Sequence, residues 1–307
     1  MIIDRITSET GLDRAYLSLI ANTATHRYKT YKIPKRTGGY RTIDHPAREL
    51  KLLQTWLVEN VFCLLPIHPA AVAYRKGKNI TDHASVHVKH NYLLKTDFAD
   101  FFPSISGDDV VKVLKENSAH LLELISSPND HDFVRRVICK RDCLTIGAPS
   151  SPIVSNVVMY NFDREWSSKC DALDVSYSRY ADDICFSTDA PNTLADLLLE
   201  MKKDLLRRTS PRLRLNEKKT VFTSRKRRRL ITGLVLTSDR RLSLGRKRKR
   251  QIRALVFRCL NKQLAPDKLG YLRGFLSYAR SVDKGFVDAL RRKYGANVMD
   301  LILRQSS

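Results

Sequence analysis

The sequence predicts an α+β fold in which an antiparallel sheet carries a group of acidic side chains and basic helices follow the sheet. Two short runs rich in β-branched and aromatic residues flank the tetrapeptide Tyr-Ala-Asp-Asp at positions 180–183, which predicts a β-hairpin with two acids at its turn. An apolar run over residues 93–96 predicts another strand, and this strand ends at Asp97. From Gly245 onward, apolar residues show helical spacing among many Lys and Arg residues.

The paired acids at the predicted turn, Asp182 and Asp183, repel each other and therefore require a physical reason. A bound divalent cation is one reason, because Mg²⁺ prefers carboxylate oxygens, and an ordinary Asp-rich turn is the alternative. Asp97 favours the cation, because a strand end and a hairpin turn can bring three carboxylates to one edge of a sheet. Such an arrangement can hold two Mg²⁺ ions roughly 3.5–4 Å apart for phosphoryl transfer.

The composition is that of a globular protein. The 307 residues suffice for one large domain or for two to three lobes, and 43% of them are hydrophobic. No run of about 18 apolar residues occurs and the N-terminus lacks a signal-peptide pattern, so we expect a cytoplasmic protein without a membrane partner. The six cysteines show no Cys-x-x-Cys spacing, which favours reduced thiols over zinc ligands or disulfides.

The formal net charge of +23 is concentrated in the last third of the chain. Residues 201–307 hold 31 Lys and Arg against 7 Asp and Glu, whereas residues 1–200 hold 24 against 25. A neutral body joined to a strongly basic region is typical of a catalytic core with a nucleic-acid clamp. The alternative is a basic surface that is merely solvated.

Helices and one basic hairpin are predicted before the first acid. Apolar spacing predicts a first helix near residues 2–21, and Pro46 opens another whose apolar residues recur through position 64. Between them lies a predicted hairpin with a Gly-Gly turn. Lys35, Arg36 and Arg41 give this hairpin positive charge at its tip and on its return strand.

A further helix is predicted over residues 79–90, with Thr81 as its N-cap. It carries three histidines, His83, His87 and His90, at spacings of four and three. Two histidines four residues apart can bind zinc, but the glutamate of a metalloprotease helix is missing between them.

After Asp97, helices are predicted following residue 106, over 118–143, from about Pro152 to 170, and over 191–208. Gly147 lies in the loop before Pro152. A glycine here permits close approach of the backbone to a nucleotide or a template.

The C-terminal part combines an apolar strand over residues 230–236 with helices at about 246–263, 267–280 and 284–304. Consecutive basic residues open the first of these helices and suggest a surface that grips a phosphate backbone. They are Arg246, Lys247, Arg248, Lys249 and Arg250. Tyr271, Phe275 and Tyr278 share one face of the second helix. Stacking on unpaired bases is one interpretation, and packing in the core is the favoured one.

Two segments resemble signature motifs of the reverse transcriptase family: residues 97–102 (Asp-Phe-Ala-Asp-Phe-Phe) resemble its motif A, and residues 180–183 its motif C. Residues 144–152 are similar to motif B, with Thr145-Ile146 in place of the usual Pro-Gln. Residues 215–220 are similar to motif D. The resemblance implies a right-hand polymerase fold with three parts. These are fingers over 1–90 with part of 104–150, a palm over 91–236, and a basic helical thumb over 237–307.

The resemblance also implies roles for individual residues. Asp97, Asp182 and Asp183 would hold two Mg²⁺ ions, and Lys219 of motif D would donate a proton to the leaving pyrophosphate or stabilise its charge. Lys35 and Arg41 would contact the triphosphate of an incoming deoxynucleotide; a basic surface hairpin is the alternative. Phe102 would lie beneath the sugar and exclude a ribose 2′-hydroxyl.

Two further elements resemble the retron branch of this family. Residues 84–87 (Ala-Ser-Val-His) are similar to an Asn-Ala-x-x-His element, with His83 at the Asn position, and Ile231-Thr232-Gly233 is similar to a Val-Thr-Gly triplet. His87, Thr232 and Gly233 are therefore candidate RNA contacts.

The retron resemblance implies a structured non-coding RNA as template and primer source. It also implies a branched RNA-linked DNA product, and an effector protein in anti-phage defence. A group II intron-like or diversity-generating reverse transcriptase and a non-catalytic RNA-binding scaffold are the alternatives.

Overall fold

The computed structural model describes residues 1–35, 38–121 and 124–304. Along the chain, helices precede and follow the segments that form the sheets. The helices are α1 (Ile2–Thr10), α2 (Arg14–Asn22), α3 (Arg48–Asn60), α4 (Ile80–His87), α5 (Gly107–Glu116), α6 (Ser118–Leu121), α7 (Pro128–Ile138), α8 (Ser151–Val158), α9 (Tyr160–Ala172), α10 (Thr193–Arg207), α11 (Gly245–Leu260), α12 (Asp267–Val282), α13 (Lys284–Tyr294) and α14 (Ala296–Arg304). The strands are β1 (Tyr28–Pro34), β2 (Tyr40–Pro46), β3 (Tyr92–Asp97), β4 (Ser176–Tyr180), β5 (Asp183–Thr188), β6 (Val221–Ser224), β7 (Arg229–Ile231), β8 (Leu234–Leu236) and β9 (Leu242–Ser243).

A four-stranded antiparallel sheet with strand order β4-β5-β3-β6 lies at the centre of the chain. Its inner strands β3 and β5 are almost wholly buried because residues 93–94 and 184–188 are apolar or small. The register places Asp97 opposite Asp183, so the C-terminal end of β3 meets the start of β5. The predicted α+β architecture with acids at one edge of an antiparallel sheet is confirmed.

The predicted basic hairpin is formed by β1 and β2, which pair antiparallel from Tyr28↔Pro46 to Pro34↔Tyr40. Arg36 lies outside the described residues. The single helix predicted near residues 2–21 is wrong: α1 ends at Thr10, the next residue Gly11 adopts φ 69°, and α2 begins after Asp13. Both helices bury apolar residues, so the spacing indicated the buried face correctly but not the break.

Four other helix predictions need correction. Helix α3 ends at Asn60, and Leu64, predicted to lie on its buried face, is 50% exposed. Asn79, not Thr81, caps α4, because its side chain accepts a hydrogen bond from the Thr81 amide. The helix predicted over 118–143 is replaced by α6 and α7, and Ser127 caps α7. The helix predicted through residue 170 is split at Met159 into α8 and α9.

The predicted C-terminal helices are confirmed as α11 and α12, whereas the last one is split by Gly295 into α13 and α14. The buried apolar residues form two clusters. The larger joins α1–α3 and α5–α10 to the central sheet, and the smaller joins the β7–β9 sheet to α4 and α11–α14. Among the described residues, no helix combines the length and the hydropathy that crossing a bilayer requires.

Candidate active site

The structure brings Asp97, Asp182 and Asp183 together at one edge of the central sheet. Asp97 and Asp183 are directly paired on β3 and β5, and the amide of Phe98 donates a hydrogen bond to the Asp182 carbonyl oxygen at 3.0 Å. Asp182 itself lies in the two-residue turn between β4 and β5. The predicted convergence of a strand end and a hairpin turn is therefore present.

The turn that carries Asp182 is strained, and a buried arginine holds it in place. Ala181 adopts φ 59°, a left-handed conformation that is unfavourable for a residue with a Cβ atom. The guanidinium of Arg179 donates a hydrogen bond to the Ala181 carbonyl at 3.1 Å and pairs with Asp163 at 2.6 Å. Arg179 and Asp163 are both fully buried, so this ion pair anchors the turn to α9.

The three carboxylates form a site that favours cations. Asp97 is 1% exposed, and its Oδ1 atom is buried without a hydrogen-bond partner. Burial raises the pKa of Asp182, and the neighbouring charges of Asp183 and Asp97 raise it further. A cation at this edge relieves both the repulsion and the unsatisfied oxygen.

Two lysines already contact the acids. The ammonium of Lys219 bonds to Oδ2 of Asp97, and Nζ of Lys95 lies 3.2 Å from Oδ1 of Asp183. Burial lowers the pKa of Lys219, but the hydrogen bond and charge of Asp97 outweigh it, so the pKa lies above its ordinary value. Lys219 had been predicted, whereas Lys95 had not. Alternation along β3 was the available signal, because residues two apart point to the same face.

Oxygen-only ligands favour Mg²⁺ over zinc or copper. Within residues 1–35, 38–121 and 124–304, no group of three His, Cys, Asp or Glu side chains is arranged as a preformed metal cage. Mg²⁺ in proteins keeps several waters and takes further oxygens from substrate phosphates, so it needs few protein ligands. The donor chemistry at Asp97, Asp182 and Asp183 therefore fits divalent metal ions.

Phe102 and Gly147 are two further candidate nucleotide contacts, and their surroundings in the structure differ. Phe102 is half-buried, and its ring centroid is 5.5 Å from that of Phe101. Gly147 adopts φ 119°, and a Cβ there would lie 2.6 Å from the carbonyl oxygen of Asp44 on β2. The close approach that requires this glycine is thus made to the protein's own hairpin. Gly147 is also exposed to solvent, so its contact with a nucleotide or a template stays a prediction.

Lys35 and Arg41 are both exposed on the β1–β2 hairpin. Tyr74, which had not been predicted, follows a segment that is bridged to β4. Residues 70–72 run parallel to β4, with backbone hydrogen bonds of 2.8 Å to Arg179 in both directions. Tyr74 follows this bridge by three residues, as Asp182 follows Arg179. It is 48% exposed and adopts φ 61°. Nothing in its sequence context signalled this conformation.

His87 does not face solvent, so the predicted contact of its side chain with RNA is wrong. Its two ring nitrogens bond to Ser178 on β4 and Ser187 on β5, each at 2.7 Å. His83 bonds to the same Ser178 hydroxyl at 2.8 Å and lies against the Tyr180 ring. His83 and His87 therefore connect α4 to both strands of the β4–β5 hairpin, whose turn carries the acids. Burial lowers the pKa of both, to about 3 for His83.

The single strand predicted over residues 230–236 is wrong, because Thr232 and Gly233 form a two-residue turn between β7 and β8, with φ 44° and 85°. Positive φ at both central positions suits a tight hairpin. Arg248 donates a hydrogen bond to the Gly233 carbonyl at 2.8 Å, and a Cβ at Gly233 would lie 2.9 Å from this guanidinium. The absence of a Cβ atom at Gly233 therefore leaves room for the guanidinium of Arg248.

The five basic residues that open α11 separate into two groups. Arg246, Lys247 and Arg250 are exposed. Lys249 is paired with Asp283 at 2.7 Å and Arg248 holds the Gly233 turn, so these two side chains already have partners within the protein.

The favoured core interpretation of the α12 aromatic residues holds in part, because Phe275 and Tyr278 pack against the smaller apolar cluster and Tyr271 does not. Tyr271 is 55% exposed and Phe275 and Tyr278 are half-buried, whereas Leu272, Leu276 and Ala279 fill the core. The three aromatic residues have helical spacing, but each one precedes a buried residue of the core face by one position.

Comparison with known proteins agrees with this geometry. The family model described as reverse transcriptase (RNA-dependent DNA polymerase) matches residues 33–259. The retron Ec83 reverse transcriptase of Escherichia coli is 39% identical over 98% of each chain, and the retron Ec73 reverse transcriptase of the same species is 33% identical over 95% of each chain.

Among solved structures, telomerase from Candida albicans in complex with a TWJ fragment of telomeric RNA aligns with a TM-score of 0.51 at 14% identity. The alignment covers 95% of this chain and 58% of that longer chain, which indicates a shared fold. The family match spans both strand ends that carry the acids. The chain therefore belongs to the reverse transcriptase family of RNA-dependent DNA polymerases, on its retron branch.

Proposed function

We propose that this polymerase copies a structured non-coding RNA into single-stranded DNA that remains branched from that RNA, using two Mg²⁺ ions. The observation that carries the catalytic part is the convergence of Asp97, Asp182 and Asp183, with one buried carboxylate oxygen unsatisfied. The retron relatives, which match nearly the whole chain, support the branched product. A group II intron-like or diversity-generating enzyme is the alternative.

In this proposal Asp97 and Asp182 are the principal metal ligands and Asp183 contributes from the next strand position. When bound, the ions supply Lewis acidity toward the attacking hydroxyl and the leaving pyrophosphate. The rigid pairing of β3 with β5 keeps the carboxylates in place, so little reorganisation is needed during the reaction. Lys219 remains protonated beside Asp97 and can give its proton to the departing phosphate oxygen.

The incoming deoxynucleotide is proposed to lie between the sheet edge and the β1–β2 hairpin. Lys35 and Arg41 are exposed there and can neutralise the triphosphate, while Gly147 lies at the base of the hairpin. Phe102 follows Asp97 by five residues, and its half-buried ring would clash with a ribose 2′-hydroxyl. These assignments make dNTPs the substrates.

We assign the fingers to residues 1–90 with part of 104–150, the palm to 91–236 and the thumb to 237–307. The RNA is proposed to lie along the thumb, where Arg246, Lys247 and Arg250 are exposed, near the Thr232-Gly233 turn. The retron resemblance adds an effector protein as partner and a role in anti-phage defence.

The test is to sequence the nucleic acid that copurifies with the wild-type chain and with the Asp182→Asn variant. The wild type should carry a short DNA joined through a 2′-linkage to one RNA, and the variant should carry that RNA without DNA. A linear DNA or an intron RNA in the wild type would overturn the branched product. DNA of equal yield in the variant would overturn the catalytic assignment.

A further inference from the structure

We infer that Lys95 is a positioning residue that competes with a metal ion for Asp183 and thereby sets the metal affinity of the active site. This inference rests on the proposed role of the three carboxylates as metal ligands. It concerns a lysine that the reaction described above does not use.

The position of Lys95 is fixed by the sheet. It lies on β3 two residues before Asp97, so both side chains leave the strand on the same face. Lys95 is paired with Cys185, two residues beyond Asp183 on β5, and its side chain reaches diagonally to the carboxylate. The resulting ion pair is 3.2 Å long, and both side chains are about three-quarters shielded, at 28% and 25% exposure.

The two lysines at the site differ in freedom. Lys219 lies on a short 3₁₀ turn (Glu217–Lys219) and is 55% exposed, so its side chain can leave Asp97. Lys95 lies on a strand that is hydrogen-bonded on both sides, to β5 and to β6, so its backbone cannot move away from Asp183. The ammonium group therefore stays near Asp183 and can release the carboxylate only by rotation of its own side chain.

An ammonium group held near Asp183 has a definite electrostatic consequence. It neutralises part of the charge that would attract a divalent ion, and it occupies an oxygen that such an ion would use. Asp97 keeps one free oxygen, and Asp182 makes no ion pair among the described residues. Free metal is therefore held mainly by Asp97 and Asp182, and Asp183 becomes a full ligand only when Lys95 releases it.

The test measures Mn²⁺ affinity of the nucleotide-free protein by calorimetry, which does not depend on activity. Lys95→Met should tighten Mn²⁺ binding on the order of tenfold, because a unit charge is removed within a few ångströms of the ion. Lys95→Arg should stay near wild type. Lys169→Met is the matched control, because it removes one lysine from an ion pair with Glu200 on α9 and α10, away from the acids, and should leave the affinity unchanged.

A double-mutant cycle tests the competition itself. Asp183→Asn should weaken Mn²⁺ binding only slightly when Lys95 is present and much more in the Lys95→Met background. Equal effects in both backgrounds, or an unchanged affinity in Lys95→Met, would overturn the inference while leaving the metal site intact. If the wild type binds no Mn²⁺ at these carboxylates, the proposed metal role fails and the inference fails with it.

Discussion

At the scale of one residue, Asp182 has surroundings that lower the stability of the folded chain but that suit its proposed chemical role. Its carboxylate is partly buried next to two others, and the residue before it is held in a left-handed conformation. Both features are unfavourable for the folded chain by themselves. They persist because the buried Arg179–Asp163 pair holds the turn and because the carboxylates are needed together.

Asp182→Asn should therefore raise the melting temperature in metal-free buffer while reducing DNA synthesis by at least about 100-fold. The pKa of Asp182 is raised in the folded state, so its ionisation costs stability as the pH rises through that pKa. The uncharged amide removes this cost at neutral pH. Thermal unfolding in EDTA, with the exposed Asp171→Asn as control, checks the sign. A lower melting temperature for Asp182→Asn would contradict the electrostatic account.

Phe102 is the second residue whose role can be isolated. Phe102→Ala should increase ribonucleotide incorporation relative to deoxynucleotide by roughly tenfold or more, because the ring that excludes the 2′-hydroxyl is lost. Some packing against Phe101 is lost as well, so the measured quantity is the ratio of the two substrates within one preparation. Leu206→Ala, at a side chain that is 87% exposed, provides the control. An unchanged ratio would remove Phe102 from this role.

At the scale of elements, the sequence predicted what local patterns determine and missed what long-range contacts determine. Alternation and turn residues sufficed for the hairpin of residues 180–183 and for the strand that ends at Asp97. The splits at Gly11, Met159 and Gly295 were missed, because apolar spacing continues across each break. Lys95 was missed for another reason: its partner is 88 residues away, and only the strand register joins them.

The histidines of α4 show the same limit, because their spacing raised a metal site, the family resemblance implied an RNA contact for His87, and the structure shows that both side chains are buried supports. His87 bridges β4 and β5 through two serines, and His83 extends the network toward Tyr180. A neutral ring is required, since burial penalises the protonated form. The element that resembles the retron motif thus acts, in this structure, on the strands that carry the acids.

This network predicts a loss of stability in acid. Both histidines have lowered pKa values when folded, so the unfolded chain binds more protons and the free energy of unfolding falls as the pH drops below about 6.5. Each contributes up to about 1.4 kcal/mol per pH unit. His83→Asn should remove one contribution, because an amide can bond to Ser178 without titrating. Urea unfolding between pH 7.5 and 5 measures the difference, and equal slopes in both proteins would contradict the assignment.

At the scale of the whole molecule, the strongly basic part of the chain and the smaller apolar cluster cover nearly the same residues. The excess of +24 lies in residues 201–307, and the smaller apolar cluster is built mainly from residues 231–302. Composition predicted a basic, helical C-terminal region. It could not separate cations that face solvent from those that hold the fold, because Arg248 and Lys249 have the same sequence context as their neighbours.

Replacing Arg246, Lys247 and Arg250 together with Gln should flatten the salt dependence of RNA binding. Each lost phosphate contact lowers the slope of log affinity against log salt by about 0.7–0.9, so three contacts lower it by about 2–3. Arg248→Gln with Lys249→Gln is the matched comparison. It removes two charges from the same helix turn but breaks the bonds to Gly233 and Asp283, so it should lower the melting temperature and change the slope less per charge.

Filter-binding titrations with the copurified RNA across a salt series separate the two groups of cations. Nucleotide addition on a saturating primed duplex should survive in the triple variant, since β3 and the β4–β5 turn are untouched. A triple variant with the wild-type slope would show that the exposed cations of α11 are only solvated. A double variant with the larger loss of slope would place the RNA on the buried side of the helix, against the geometry of Arg248 and Lys249.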